Sequence, residues 1–193
     1  MLFLWYNFGM ENEVKRTGII KKLNMIYKKG YMPSRGIEEY GKVFTPVVNC
    51  FGHACFNLSN EMLEELSKDK NKLSKFFRTF ETFGLQNLFR EAKKRVQDVG
   101  LKFESSGVSE KLQNNQWKIA VYTKSDEFTG NDLHFMIQMP DGKWTSKLGS
   151  NSEVEVYNKL PRVFHSLYDL YGVYKITNPY VKSEKEYEKE MEM

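Results

Sequence analysis

The sequence predicts an α+β fold, with N-terminal helices packed on a C-terminal antiparallel sheet. Apolar residues recur at helical spacing before Gly107, whereas β-branched and aromatic runs dominate after it. Hydrophobic residues make up 40% and charged residues 28% of the 193 positions, which excludes a membrane bundle and a disordered chain. We divide the chain into an N-terminal arm with a basic helix (1–45), a core (46–180) and an acidic tail (181–193).

The helical half contains five predicted segments. Each has apolar residues three and four positions apart, and glycines end three of them. The segments are Gly18–Lys29 before Gly30, a buried helix that starts at Cys50, Glu61–Leu66 capped by Asn60, a stretch through Leu73 that ends at Gly84, and Leu85–Val99 before Gly100.

The second half contains the predicted sheet. A hairpin is indicated by Asp141-Gly142 between two apolar runs, and this turn puts a residue between Lys147 and Gly149 opposite His134. A lysine ammonium there would lower the pKa of the imidazole. The predicted elements are Trp117–Thr123, His134–Met139, Lys143–Lys147 and an edge strand Val154–Tyr157, then helix or turn over Leu160–Tyr171 and a last strand Gly172–Thr177.

The charge is unevenly distributed. Lys15–Lys42 holds eight basic residues and two acidic ones, and the last eleven residues are acidic. Such segments are most often solvated surfaces. The alternative is contact with nucleic acid or an acidic partner, for which the candidate residues are Lys21, Lys22, Lys28 and Lys29.

Several classes of site are not expected. Two cysteines supply neither a disulfide framework nor a four-ligand zinc site, and no glycine-rich phosphate loop occurs. We therefore expect no metal and no cofactor. The apolar run Met1–Tyr6 is too short for a signal peptide or a membrane span, so we expect a cytoplasmic protein without membrane contact.

Cys50 is the first candidate for chemistry. A thiol at a helix N-terminus meets free N–H groups and a partial positive charge, which favour the thiolate. The alternative is a small buried core residue. His53 lies one turn further along the same helix, His134 begins a strand, and His165 is expected to be a packed aromatic residue.

Three blocks of sequence resemble one family. Val48–Ala54 resembles the N-C-Y-A-Y-A block of a group of poorly characterised bacterial and phage proteins. Asp132–Gln138 resembles their D-Y-H-F-Y-R-Q block, and Asp141–Gly149 resembles D-G-x-W-S-H-K-P-G, with Ser146 in place of the histidine. Order and spacing agree from Val48 to Gly149. The group is similar to the papain-like cysteine hydrolases.

The resemblance implies a papain-like core that cleaves an amide, peptide or isopeptide bond in a protein or peptide substrate. Cys50 would be the nucleophile and His134 the base, while the Cys50 N–H with Asn49 would hold the oxyanion. Ser146 would stand where a second histidine orients the imidazole. The alternative is a non-catalytic binding protein on the same scaffold, such as a phage-encoded inhibitor of a host protein or defence complex.

Overall fold

The computed structural model describes residues 17–33, 48–66, 68, 70–78, 84–126, 130–150 and 152–183. Within these ranges the chain folds as α+β, with helices preceding an antiparallel sheet as predicted. Most of the N-terminal arm, part of the basic segment and most of the acidic tail lie outside the described residues.

Five helices precede the sheet in the described ranges. Helix α1 covers residues 17–28, and the chain turns at Gly30, whose φ of +87° suits glycine. Ser59, rather than the predicted Asn60, caps α3, because its hydroxyl accepts from the Met62 N–H. The remaining helices are α2 (Cys50–Cys55), α3 (Asn60–Leu66), α4 (Lys70–Arg78) and α5 (Leu85–Asp98).

Seven antiparallel strands form one sheet in the order β1-β7-β2-β3-β4-β5, and β6 pairs with β7. The predicted hairpin is β3 and β4, with Met136 opposite Ser146. The pairing ends there, so the β3–β4 ladder does not reach the predicted position between Lys147 and Gly149 opposite His134. The strands are β1 (Lys102–Ser105), β2 (Gln116–Asp126), β3 (Gly130–Gln138), β4 (Trp144–Lys147), β5 (Val154–Tyr157), β6 (Val163–Phe164) and β7 (Tyr168–Thr177).

The sheet has a hydrophobic cluster on each face. The larger one joins the helices to the sheet through residues such as Phe51 and Phe135, whose ring centroids are 5.3 Å apart. The smaller one includes Met136, Trp144 and Phe164. Because side chains alternate along a strand, consecutive residues of β3 belong to different clusters.

The prediction of helix or turn over Leu160–Tyr171 is wrong in part. The segment forms β6, a short turn and the start of β7, which runs through Gly172. Gly172 indicates the start of a strand in the sequence, but it lies inside β7. It is placed at a bulge, where the register shifts opposite Val121 and Tyr122. His165 lies in the β6–β7 turn with φ +49° and is exposed, but its ring contacts that of Phe164 with centroids 4.3 Å apart, so the prediction that it is packed is confirmed in part.

None of the helices in the described ranges has the length and apolar character that crossing a membrane requires.

Candidate active site

Asn49 and Gly52 fix the start of α2 against the rest of the fold. The Asn49 side chain accepts from the Gly52 N–H at 3.1 Å and donates to the Phe77 carbonyl at 3.1 Å. A β-carbon at Gly52 would lie 2.7 Å from Val48 and 2.8 Å from Phe77, so glycine allows this close packing. Asn49 therefore caps the helix, and its amide is engaged with Phe77.

The Cys50 thiol lies against the edge of β3. Its sulfur donates to the Leu133 carbonyl at 3.9 Å and interacts with the Phe135 N–H. These two residues flank His134. Strand β4 pairs with β3 only along Met136–Gln138. The sulfur therefore occupies the strand edge just beyond the end of β4, next to the peptide groups on either side of His134.

Burial keeps this thiol protonated. Desolvation, together with the nearby Asp132 carboxylate, raises the pKa of Cys50 to about 12. The N–H groups of Phe135, Phe51 and Cys50 itself act in the opposite direction by stabilising the thiolate. Burial outweighs the effect of the helix N-terminus, so the thiol is not activated in this closed structure.

His134 is a buried, neutral imidazole. Its Nε2 lies 2.6 Å from Ser146 Oγ, and its ring stacks on Phe164 with centroids 4.3 Å apart and planes 7° apart. Burial, followed by the charge of His165, lowers the pKa of His134 to about 3. The structure thus brings together His134 and Ser146, two residues that the sequence singled out.

Asp132 and Tyr168 complete this side of the site. The Tyr168 hydroxyl donates to Asp132 Oδ2 at 2.7 Å, and the Leu133 N–H donates to Oδ1 at 2.8 Å. The Tyr168 ring is 5.5 Å from that of His134. Sequence reasoning missed Tyr168 because its segment was assigned to helix or turn. Alternation along a strand through Tyr168 and Leu170 is the signal that indicates otherwise.

His53 lies on the face of the sheet that carries α2 and Cys50, opposite to the face of His134. Its Nε2 lies 3.0 Å from Thr145 Oγ1, and burial together with the charge of Lys147 lowers its pKa to about 4. The Lys147 ammonium donates to the carbonyls of Ser150 and Ser152. The expectation that a lysine ammonium acts on His134 is therefore wrong, because Lys147 faces His53 instead.

The four candidate lysines on α1 and the following turn are exposed, but they are not equivalent. Lys22 donates to the Leu66 carbonyl at the end of α3, at 2.9 Å. The Lys28 ammonium lies 5.6 Å from the centre of the Tyr180 ring. Lys22 thus has a structural role, while Lys21 and Lys29 remain candidates for binding a partner. No group of three or more His, Cys, Asp or Glu residues in the described ranges is arranged to hold a metal.

The fold and the site define an α+β domain in which a cysteine at a helix N-terminus lies against the strand that carries a buried histidine. The model of the family described as a domain of unknown function, DUF7689, matches residues 42–177. The chain belongs to that family. No curated protein and no solved structure was found that matches it.

Proposed function

We propose that the protein is a papain-like cysteine hydrolase that cleaves an amide, peptide or isopeptide bond, with Cys50 as nucleophile and His134 as base. The observation that carries the proposal is the position of the Cys50 sulfur at the edge of β3, in contact with the peptide groups on either side of His134. The bond between His134 Nε2 and Ser146 adds to it. When Nε2–H donates to Ser146, the lone pair of Nδ1 is free to take a proton.

In this mechanism Nδ1 of His134 removes the thiol proton as the sulfur attacks the carbonyl carbon of the substrate. The Cys50 N–H at the start of α2 stabilises the oxyanion. The imidazolium then protonates the departing amine, and a thioester remains on Cys50. Water attacks this thioester while His134 takes its proton, and the carboxylic acid product leaves with regeneration of the thiol.

The closed structure is a resting state in this proposal. The pKa of Cys50 is raised to about 12 and that of His134 is lowered to about 3, so the neutral pair is strongly favoured over thiolate and imidazolium. Phe164 covers one face of the imidazole. Entry of substrate must therefore displace Phe164 or bring polar groups into the site before proton transfer is easy.

Labelling of Cys50 by peptidyl vinyl sulfones tests the proposal, because these electrophiles report a thiol that is deprotonated within its own site. We expect labelling of the wild type at pH 7.5 and at least a tenfold slower reaction in His134→Gln, in line with the usual contribution of a general base. His53→Gln changes the buried histidine one turn after Cys50, whose Nε2 is bonded to Thr145, and should label like the wild type. Equal labelling of the wild type and His134→Gln would contradict the assignment.

A non-catalytic binding protein is the second candidate, and the burial of the thiol and imidazole favours it. Under this alternative the DUF7689 scaffold presents a surface to a protein partner, as a phage-encoded inhibitor of a host protein or defence complex would. Cys50 then has only a packing role. Absence of vinyl sulfone labelling in the folded wild type, with normal labelling after unfolding, would support this alternative and exclude the hydrolase.

A further inference from the structure

Asp132 presents a fixed negative charge two residues after the start of β3. One carboxylate oxygen accepts from the Leu133 N–H and the other from the Tyr168 hydroxyl. Tyr168 is itself buried, so it is a rigid support. Asp132 remains exposed, and each of its oxygens keeps a lone pair for another donor. A ligand that binds this carboxylate therefore meets an oriented group rather than a freely rotating side chain.

The Asp132 carboxylate lies close enough to Cys50 for the charges of the two groups to interact. Tyr168 also lies close enough to Cys50 for such an interaction. Lys124 is the residue opposite Asp132 on β2, and Asp169 lies on β7 opposite Thr123. Two other charged groups of the described residues are engaged elsewhere. Lys147 binds two carbonyls on the other face, and His165 pairs with Glu155.

We propose that Asp132 is a specificity-determining residue that selects a substrate with a positive charge next to the scissile carbonyl, such as a lysine or arginine side chain or a free amino group. This inference rests on the proposed hydrolase. An ammonium or guanidinium group on Asp132 gains a charge-assisted hydrogen bond. It also cancels the negative charge that opposes ionisation of the thiol, so a cationic substrate both binds and eases the departure of the proton.

Three methanethiosulfonate reagents test the charge preference without a known substrate: an ethylammonium, a neutral methyl and an ethylsulfonate derivative. Each forms a mixed disulfide with the thiolate and releases methanesulfinate. The rates are measured in a Cys55→Ala background, so that Cys50 is the single thiol, and are divided by the rates of the same reagents with free cysteine. Low ionic strength preserves the effect of a surface charge.

We expect the normalised ratio of the cationic to the anionic rate to be about tenfold, as for one unit charge about 6 Å away in a water-like medium. Asp132→Asn should bring the ratio close to one, and Tyr168→Phe should reduce it because the carboxylate is no longer held. Asp141→Asn removes an exposed carboxylate from the β3–β4 turn and should leave the ratio unchanged. If the Cys55→Ala protein that retains Asp132 reacts at the same normalised rate with the cationic and the anionic reagent, the inference is overturned but the proposed hydrolase is not. If its thiol is inert to all three reagents, both are overturned.

Discussion

His134 and Ser146 join β3 to β4 by a hydrogen bond of 2.6 Å between Nε2 and Oγ. Both side chains are buried, on the face of the sheet that also carries Phe164. Within the described residues, Ser146 provides the hydrogen bond to this imidazole. The serine hydroxyl therefore fixes the ring orientation that the proposed chemistry needs, in place of the histidine found in the similar sequence block.

Ser146→Ala should weaken both folding and thiol chemistry. The variant leaves a buried imidazole nitrogen without its partner, which costs about 1–3 kcal/mol of the free energy of unfolding. The ring also loses its fixed orientation, so vinyl sulfone labelling of Cys50 should slow. Urea unfolding and labelling rates measure the two effects.

Thr145→Val is the matched control for Ser146→Ala, because it removes the hydroxyl that faces His53 on the other side of the same strand. Its cost in stability should be similar, while the labelling rate should stay at the wild-type value. Slower labelling in both variants would mean that the loss follows general destabilisation rather than the orientation of His134.

The two buried histidines make stability depend on pH. Folding lowers the pKa of His134 to about 3 and that of His53 to about 4, from about 6.5 in the unfolded chain. Below pH 6.5 the unfolded chain therefore takes up protons that the folded chain does not, and stability falls as the pH falls. Between pH 7.5 and 5.0 we expect a loss of roughly 2 kcal/mol for each histidine, measured by urea unfolding.

Single substitutions assign this pH dependence. His53→Gln and His134→Gln should each remove about half of the loss between pH 7.5 and 5.0. His165→Gln replaces an exposed histidine and should leave most of the loss in place. A pH dependence that persists in the His53→Gln, His134→Gln double variant would show that other groups are responsible.

Gly52→Ala should destabilise the fold by about 1–3 kcal/mol, because the added β-carbon would overlap Val48 and Phe77. The same substitution at Gly18, in helix α1, meets nothing within 4 Å and should stabilise by about 0.5–1 kcal/mol. Thermal or urea unfolding of the two variants measures the difference. Equal stability would mean that α2 does not pack this closely on Phe77.

Lys22→Met should cost about 1 kcal/mol, since the variant loses the hydrogen bond to the Leu66 carbonyl at the end of α3. Lys21→Met, one position earlier on the exposed side of α1, should be within about 0.5 kcal/mol of the wild type. Urea unfolding measures both. If Lys22→Met changes the free energy of unfolding as little as Lys21→Met does, the bond to α3 does not stabilise the fold. Lys22 would then be a candidate for binding a partner, like Lys21 and Lys29.

Local signals were sufficient for much of the fold. The Asp141-Gly142 turn predicts the β3–β4 hairpin, and the predicted edge strand Val154–Tyr157 has the bounds of β5. β1 escaped prediction because Lys102–Ser105 contains one apolar residue, Phe103, and owes its strand conformation to pairing with β7. Such pairing is a long-range effect that local sequence does not carry.

The candidate site was less accessible to sequence reasoning. Position at a helix start suggests an activated Cys50, but the pKa of its thiol depends on burial by residues far away in the chain. The side of the sheet taken by Lys147 depends on strand parity: its neighbour Ser146 faces His134, so Lys147 must face α2. Tyr168 reaches Asp132 only because β7, far away in the chain, pairs with β2 next to β3.

Cys50 also does for β3 what a neighbouring strand would do. Where β4 ends, the sulfur offers the Leu133 carbonyl a donor and the Phe135 N–H an acceptor. An open strand edge invites pairing with strands of other molecules. An alanine at position 50 therefore removes more than a nucleophile, since it takes away both contacts at this edge, whereas serine retains a donor and an acceptor there. Self-association of Cys50→Ala, absent from Cys50→Ser, would be the visible sign that the thiol protects the sheet.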